Sequence, residues 1–220
     1  MRPDEILRLA LRKTDNEQSL AVVYAAALEA FRRTSFRSIA LEFGTRSGGS
    51  ALALLAAILE TDSRRVLVTV DPYGELPYQN DKGLLPWKYT SDHYRDAMSE
   101  VSAVAKAEKL NWVHYLAKDE EYMECIWPVI PLYLLEPAER SPSLAFAYLD
   151  AEHTNEAVRK ALLWAKGRLE KGGTIVVDDV DWLSDKGEWM LSECPTAVRR
   201  EGKIVIGPEP TSTPRTPIGQ

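Results

Sequence analysis

The sequence predicts one α/β domain built on a mostly parallel sheet that carries helices on both faces. Short, almost wholly apolar runs alternate with helical stretches from Ser38 onward, the pattern of parallel strands buried on both sides. The 220 residues are 45% apolar and 27% charged, which suits a single core of ordinary size. The longest apolar run, residues 51–59, is far shorter than the roughly 20 residues that a membrane span needs. We therefore expect no membrane partner.

Charge and cysteine content exclude further classes. The formal net charge is −6, whereas nonspecific nucleic-acid binding depends on clustered basic side chains, so we expect no nucleic-acid partner. Cys125 and Cys194 are far apart and have no Cys or His nearby at zinc-ligand spacing, which predicts reduced thiols. The amino terminus mixes acids and bases instead of forming an apolar signal core, so we expect a cytoplasmic protein.

Residues 1–36 are predicted to form two helices packed on the same domain. Thr14 and Glu17 have the spacing of a capping box, in which each side chain satisfies a backbone donor at the helix start. Apolar residues then recur at helical spacing from Leu20 to Phe31. That apolar face could pack on the core or on a second copy of the chain, so a homo-oligomer is one of the two alternatives.

Five strands and four helices are predicted to alternate along the next part of the chain. The helix that follows the fourth strand is predicted to close at Gly172-Gly173, because helices often end on glycine. Beyond it, Glu201-Gly202 joins two short extended stretches as a hairpin turn. The result is a Rossmann-like, doubly wound, mostly parallel seven-stranded sheet with a C-terminal antiparallel hairpin. The strands are placed at 38–43, 66–70, 112–116, 144–149, 174–177, 196–200 and 203–206, and the helices at 49–60, 91–109, 120–130, 155–170 and 187–193.

Three segments lie outside this regular pattern. Residues 72–90 are rich in aromatic side chains and long enough to be a lid, although a surface excursion explains them equally well. Residues 127–142 are Pro-rich and resemble a variable insertion. Residues 208–220 contain four prolines among Ser and Thr, so we expect a flexible tail.

The glycine-rich turn after the first strand is the first candidate binding site. Gly44, Gly48 and Gly49 allow a tight turn, and the helix that follows offers backbone N–H groups to an anionic or carboxylate group. Arg46 stands where the dinucleotide pattern G-x-G-x-x-G requires its second glycine, so that pattern is absent. A purely structural turn is the alternative.

Acidic residues follow each of the next two strands. Asp71 ends the second strand beside the glycine turn, where an acid can accept hydrogen bonds from a ribose diol. Asp119 follows the third strand and suits either an adenine amino group or the start of the next helix.

A cluster of carboxylates is predicted at the ends of the fourth and fifth strands. Asp150, Asp178 and Asp179 would meet at one sheet edge, which is unfavourable unless a proton or a cation is shared among them. Oxygen ligands favour a hard ion such as Mg²⁺. His153 lies beside the cluster as a candidate general base. Helix caps and solvated surface are the structural alternatives.

Taken together, these motifs resemble class I S-adenosylmethionine-dependent methyltransferases, in particular the metal-dependent O-methyltransferases that include macrolide-sugar and, more distantly, catechol O-methyltransferases. The resemblance covers about residues 38–179 and implies that 37–207 form the cofactor-binding domain. It implies that Asp150, Asp178 and Asp179 bind Mg²⁺ and that His153 is the base. Glu152 and Arg46 depart from the family pattern. The implied cofactor contacts are Glu42, Gly44, Thr45, Arg46, Ser47, Gly48, Ser50, Asp71, Asp119 and Asp150.

The predicted activity is methyl transfer from S-adenosylmethionine to a hydroxyl of a small molecule, with Mg²⁺ holding the hydroxyl and His153 taking its proton. Sugars, polyketides and catechol-like rings all suit such a site. An inactive nucleoside-binding relative of the fold is the alternative outside catalysis. A nicotinamide-dependent oxidoreductase is less favoured because the dinucleotide pattern is missing.

Overall fold

Seven strands form a single sheet with helices on both faces in the computed structural model, which describes residues 1–14, 16–61, 64–74, 79–84, 90–127 and 143–208. The strands are β1 (Ile39–Phe43), β2 (Val66–Val70), β3 (Gln79–Asn80), β4 (Gly83–Leu84), β5 (Asn111–Tyr115), β6 (Leu144–Leu149), β7 (Leu169–Val177), β8 (Ala197–Arg200) and β9 (Lys203–Ile206). The helices are α1 (Pro3–Leu11), α2 (Glu17–Arg33), α3 (Gly49–Glu60), α4 (Ser91–Glu108), α5 (Asp119–Glu121), α6 (Asn155–Lys166) and α7 (Glu188–Glu193). A π-helical turn, Tyr122–Ile126, follows α5, and a 3₁₀ turn, Val180–Trp182, follows β7.

The strand order is β5-β2-β1-β6-β7-β9-β8, and the small β3-β4 hairpin lies apart from it. The first five strands of that order pair in parallel, whereas β9 pairs antiparallel with both β7 and β8. This arrangement confirms the predicted fold class. The order along the chain reverses between β1 and β6, and ligands of such sheets bind beyond the carboxyl ends of the strands at that reversal.

Burial explains why the central strands are almost purely apolar. Strands β1, β2 and β6 are buried along their whole length, and a hydrophobic cluster covers each face of the sheet. The apolar side of α1 and α2 belongs to the cluster that also contains α3, so the N-terminal helices share the core of the sheet. The boundaries at 36/37 and 207/208 remain predictions.

Two helix boundaries differ from the prediction. Asn16, not Thr14, caps α2, and its side chain accepts a hydrogen bond from Ser19 N at 2.9 Å. Helix α6 ends at Lys166, and β7 already begins at Leu169, so Gly172-Gly173 lies within a strand. A Cβ at position 173 would approach the Ala145 carbonyl oxygen to 2.9 Å, so glycine is required there by the neighbouring strand.

Other predictions concern the connections. The helix predicted at 120–130 is a short α5 followed by a π-helical turn, and residues 128–142 lie outside the described part of the chain. The tail at 209–220 also lies outside it. In the turn between β8 and β9, Glu201 and Gly202 both have positive φ, as a two-residue hairpin turn of this kind requires. No described helix is both long and apolar enough to cross a membrane.

Part of the connection between β2 and α4 lies across the carboxyl end of β6. We call residues 79–84 the strap; residues 75–78 and 85–89 of the same connection are not described. Asn80 forms a backbone bridge with His153. The Asp81 carboxylate accepts hydrogen bonds from Asn155 N and Nδ2, both at 2.9 Å, and from Ser184 N at 2.8 Å. These contacts tie the strap to the start of α6 and to the segment after β7.

Candidate active site

The glycine turn between β1 and α3 passes so close to the end of β6 that no side chain fits at Gly44. Gly44 has φ +83°, and a Cβ there would lie 1.8 Å from the Asp150 carbonyl oxygen. Gly48, at φ +86°, is the N-cap of α3, and its Cβ would lie 2.8 Å from Val101 Cγ2. Only glycine fits both conformations without strain. The turn therefore brings its own backbone directly against Asp150.

Asp71 holds this turn in place. Its Oδ2 accepts hydrogen bonds from Thr45 N at 2.9 Å and Arg46 N at 3.0 Å, and its Oδ1 accepts one from Tyr73 N at 2.8 Å. The residue is fully buried. Burial raises the pKa of Asp71, and the three backbone donors oppose that rise. The structure thus shows Asp71 positioning the turn, while its predicted contact with a ribose remains a prediction.

Glu42 lies in the interior immediately behind the turn. It is fully buried, and no described group gives either of its carboxylate oxygens a hydrogen bond of normal geometry. Burial raises the pKa of Glu42 to about 8, and the nearby hydroxyls of Ser50 and Thr45 oppose the rise. Because buried carboxyl oxygens almost always have partners, such a group is a candidate ligand-binding residue.

The three predicted aspartates do meet at the ends of β6 and β7, together with two cations. Arg46 Nη2 lies 3.2 Å from Asp150 Oδ1 and 3.4 Å from Asp179 Oδ2. Lys203 Nζ donates to Asp178 Oδ1. Burial raises the pKa of Asp150 well above its usual range; Arg46 opposes this, and the charges of Asp178 and Asp179 add to it.

Asp178 is engaged on both oxygens. Its Oδ1 accepts from Lys203 and from Asp179 N at 2.7 Å, and its Oδ2 accepts the Tyr148 hydroxyl. The Lys203 ammonium is fully buried and also lies 3.3 Å from the Tyr148 hydroxyl oxygen. The pKa of Asp178 is lowered: burial would raise it, but the charge and hydrogen bond of Lys203, together with the Tyr148 and backbone donors, outweigh burial.

His153 lies beside this cluster, as predicted, under the strap. Its Nε2 is 3.7 Å from Asp179 Oδ2, and only 4% of the residue is exposed. Burial lowers the pKa of His153, and the nearby Asp179 charge opposes the change. One ligand atom each from Asp150, His153 and Asp179 lie within 4.8 Å of one another.

Two cavities adjoin these residues. A cavity of about 350 Å³ is lined by residues of the glycine turn and by the three aspartates. A second cavity, of about 210 Å³, is lined by Asp119 and Glu152, so Glu152 does not line the cavity that the three aspartates share. Burial raises the pKa of Asp119, and the Glu152 charge adds to it. The larger cavity is lined by Lys13, Thr14, Asn16, Ser19, Leu20, Val23, Thr45, Arg46, Ser47, Gly49, Ser50, His93, Tyr148, Asp150, Asp178 and Asp179.

Several of these functional candidates have no sequence motif. Lys13, Asn16 and Ser19 reach the larger cavity because the α1–α2 connection lies over the start of α3. Lys203 and Tyr148 are single polar residues in apolar strands, and that anomaly is the one signal that could have drawn attention to them. Gly44, Gly48 and Asp71 are brought together as predicted but line neither cavity.

The strand order, the glycine turn held against β6 and the acidic cluster beyond it define a class I methyltransferase. A family model described as a methyltransferase domain matches residues 41–180, well over half of the chain. The chain belongs to this methyltransferase family.

Solved structures of O-methyltransferases share the fold. The calicheamicin methyltransferase CalS11 is 17% identical with a TM-score of 0.60, and the match covers 90% of this chain and 82% of that one. The O-methyltransferase TomG from Streptomyces achromogenes, involved in tomaymycin synthesis, is 16% identical with a TM-score of 0.56 over 93% and 90% of the two chains. The Bacillus cereus O-methyltransferase in complex with S-adenosylhomocysteine is 14% identical with a TM-score of 0.55, over the same shares. No curated protein matches the sequence significantly.

Proposed function

We propose that this methyltransferase moves the methyl group of S-adenosylmethionine to a hydroxyl of a small molecule. The proposal is supported by the larger cavity, because residues of the glycine turn and the three aspartates of the acidic cluster line the same space. A methyl donor on the turn and an acceptor at Asp150 and Asp179 would therefore meet in one cavity. Such proximity supplies much of the catalysis in a displacement reaction.

The amino-acid end of the cofactor has groups that match the wall formed by the turn. Its carboxylate suits the backbone N–H groups at the start of α3 together with the Ser50 hydroxyl. Its ammonium group suits Glu42, which is fully buried beside Thr45 and Ser50 and has no ion-pair partner among the described residues. An ammonium ion would supply the missing positive charge and favour the ionised carboxylate.

The adenosine end suits the second cavity. Asp119 and Glu152 both line it, and a carboxylate there can accept a hydrogen bond from the adenine amino group. Thr45, Arg46 and Asp71 stay as predicted contacts of the remaining part of the cofactor, with Asp71 acting through the turn that it holds.

The reaction is an in-line displacement. An oxygen lone pair of the acceptor forms the new O–C bond as the S–C bond breaks, and the sulfonium takes that electron pair to become the thioether of S-adenosylhomocysteine. The hydroxyl proton passes to His153, whose lowered pKa leaves the imidazole unprotonated at neutral pH. Asp179 lines the cavity next to His153, so an acceptor hydroxyl at Asp179 lies beside the base.

The predicted Mg²⁺ site does not fit the geometry of the three aspartates. Asp178 is already paired with the Lys203 ammonium, and the Arg46 guanidinium lies between Asp150 and Asp179. Mg²⁺ requires near-octahedral oxygen ligation at about 2.1 Å. The proposed reaction therefore contains no step that depends on the ion.

Calorimetric titration with S-adenosylmethionine tests the cofactor assignment. We expect one site per chain in the wild type and at least about ten-fold weaker binding in Glu42→Gln, since the amide cannot pair with an ammonium. Glu193→Gln is the matched control, because Glu193 pairs with Arg159 at the surface. Absence of binding in the wild type contradicts the proposal, and binding of NAD instead favours an oxidoreductase.

Product formation tests the reaction. The wild type is incubated with S-adenosylmethionine and a panel of sugars, polyketides and catechols, and S-adenosylhomocysteine is quantified by mass spectrometry. We expect release that depends on one acceptor class and falls about 10²- to 10⁴-fold in His153→Gln, the range that general-base catalysis contributes. Cofactor binding without turnover on any hydroxylated acceptor would instead favour an inactive relative.

A further inference from the structure

The acidic cluster at the ends of β6 and β7 already contains its own cations. We infer that Arg46 and Lys203 are permanent counter-ions of Asp150, Asp178 and Asp179, and that they take the place of a divalent cation at this site. The counter-ion assignment stands on the geometry alone. Its consequence for catalysis, a methyl transfer that needs no metal, rests on the proposed function.

Lys203 neutralises the charge of Asp178 and, with Asp179 N, fills the acceptor sites of its Oδ1. The side chain of Lys203 is fully buried, and its ammonium lies within hydrogen-bond distance of both Asp178 and Tyr148. The Tyr148 hydroxyl donates to the other Asp178 oxygen. Because the Lys203 side chain is fully buried, displacing its ammonium from Asp178 would leave an unpaired charge in the interior. An uncompensated buried charge is strongly unfavourable, so the pair stays together.

Arg46 occupies the space between the other two aspartates. Its backbone is fixed on both sides, because its N–H donates to Asp71 and its carbonyl oxygen accepts the Tyr73 hydroxyl at 2.5 Å. Its φ is +48°, a conformation that favours glycine. An arginine in this strained position of a glycine-rich turn indicates a role for the side chain, and the guanidinium is the group that contacts Asp150 and Asp179.

The charges of the cluster leave a divalent ion little to neutralise. Three carboxylates face two cations, so the cluster keeps only one unbalanced negative charge. A metal would have to displace a guanidinium and then bind with only Asp150, Asp179 and the nitrogen of His153. Arg46, a third of whose side chain is exposed, lines the larger cavity. The guanidinium can therefore stabilise the acceptor oxygen as it loses its proton, the electrostatic role that a metal would otherwise fill.

Binding of Mn²⁺ tests the inference without reference to turnover. Mn²⁺ is a paramagnetic probe for Mg²⁺ sites, and free ion is quantified by electron paramagnetic resonance in titrations of the wild-type chain, Arg46→Gln and the surface control Arg159→Gln. We expect no stoichiometric site in the wild type or the control at millimolar ion, and at least about ten-fold tighter binding in Arg46→Gln. A wild-type site with micromolar affinity overturns the inference. Equal, weak binding in Arg46→Gln overturns the role of Arg46 as the occupant of the cation position.

Two further measurements separate this inference from the proposed function. S-adenosylmethionine titration of the same samples shows whether the cofactor site exists. Absence of binding in the wild-type chain would contradict the proposed function and leave the counter-ion assignment intact. If an acceptor is found, we expect unchanged turnover in EDTA. Turnover that EDTA abolishes and Mg²⁺ restores overturns the metal-independent reaction.

Discussion

We expect Glu42→Gln to raise the free energy of unfolding of the cofactor-free protein, by an amount that grows with pH. Glu42 is fully buried with no ion-pair partner among the described residues, and burial raises its pKa from 4.5 to about 8 although the nearby hydroxyls of Ser50 and Thr45 oppose the rise. A glutamine has nearly the same shape and no charge to desolvate. The wild type therefore carries a cost that the variant lacks whenever the unfolded chain would be ionised at this position.

The direction in which wild-type stability changes with pH follows from proton linkage. Below pH 4.5 the carboxyl is protonated in both the folded and unfolded states, so the two proteins have similar stability. Between 4.5 and about 8 the unfolded state releases the proton and the folded state keeps it, so wild-type stability falls as pH rises. Each pH unit is worth about 1.4 kcal/mol, which gives a total of about 3 to 5 kcal/mol by pH 8.

Urea unfolding followed by circular dichroism at pH 5, 6, 7 and 8 measures this difference. We expect the free energy of unfolding of Glu42→Gln to exceed that of the wild type by a margin that grows with pH, while cofactor affinity falls. Glu193→Gln, at an exposed ion pair, should show no such growth. Parallel pH profiles for the wild type and Glu42→Gln would contradict this prediction, since they would show that Glu42 is ionised in the folded state.

Three further changes test the contacts that shape the site. Lys203→Met should lower the free energy of unfolding by about 3 to 5 kcal/mol in urea titrations, and adding Asp178→Asn should restore most of it; a single variant as stable as the wild type would contradict the buried pair. Asp81→Ala should speed amide hydrogen exchange of residues 79–84 about ten-fold, because its hydrogen bonds to Asn155 and Ser184 hold the strap; unchanged exchange would show that other contacts hold it. Arg65→Met should lower the free energy of unfolding by about 3 kcal/mol in thermal or urea unfolding, because the buried guanidinium donates to four backbone carbonyl groups in the last turn of α2 and the segment that follows it; a loss below about 1 kcal/mol would mean that those carbonyls find other donors.

The fold was predictable because its signals are local. Each buried parallel strand is a short apolar run, and the acids that follow the strands fall at one edge whatever the loop conformations are. The meeting of Asp150, Asp178 and Asp179 could be predicted for that reason. The end of α6 could not be predicted, because glycine at position 173 is required by the Ala145 carbonyl of a neighbouring strand and does not end a helix.

The details of the site depend on contacts between distant segments. The residues near Asp178 in the sequence do not predict its contact with Lys203, which depends on the antiparallel pairing of β7 and β9. Asp71 is found at the predicted place, but its hydrogen bonds depend on how the glycine turn folds back over β2. Arg46 departs from the family pattern, and its sequence position does not predict that its guanidinium contacts Asp150 and Asp179.

If the glycine turn and the acidic cluster form one methyl-transfer site, the chain binds S-adenosylmethionine before any acceptor is present. Calorimetric titration of the wild-type chain with S-adenosylmethionine should show saturable binding at one site per chain. S-adenosylhomocysteine should compete for that site, NAD should not, and Glu42→Gln should weaken it. The absence of saturable binding, or displacement of S-adenosylmethionine by NAD, would contradict the account.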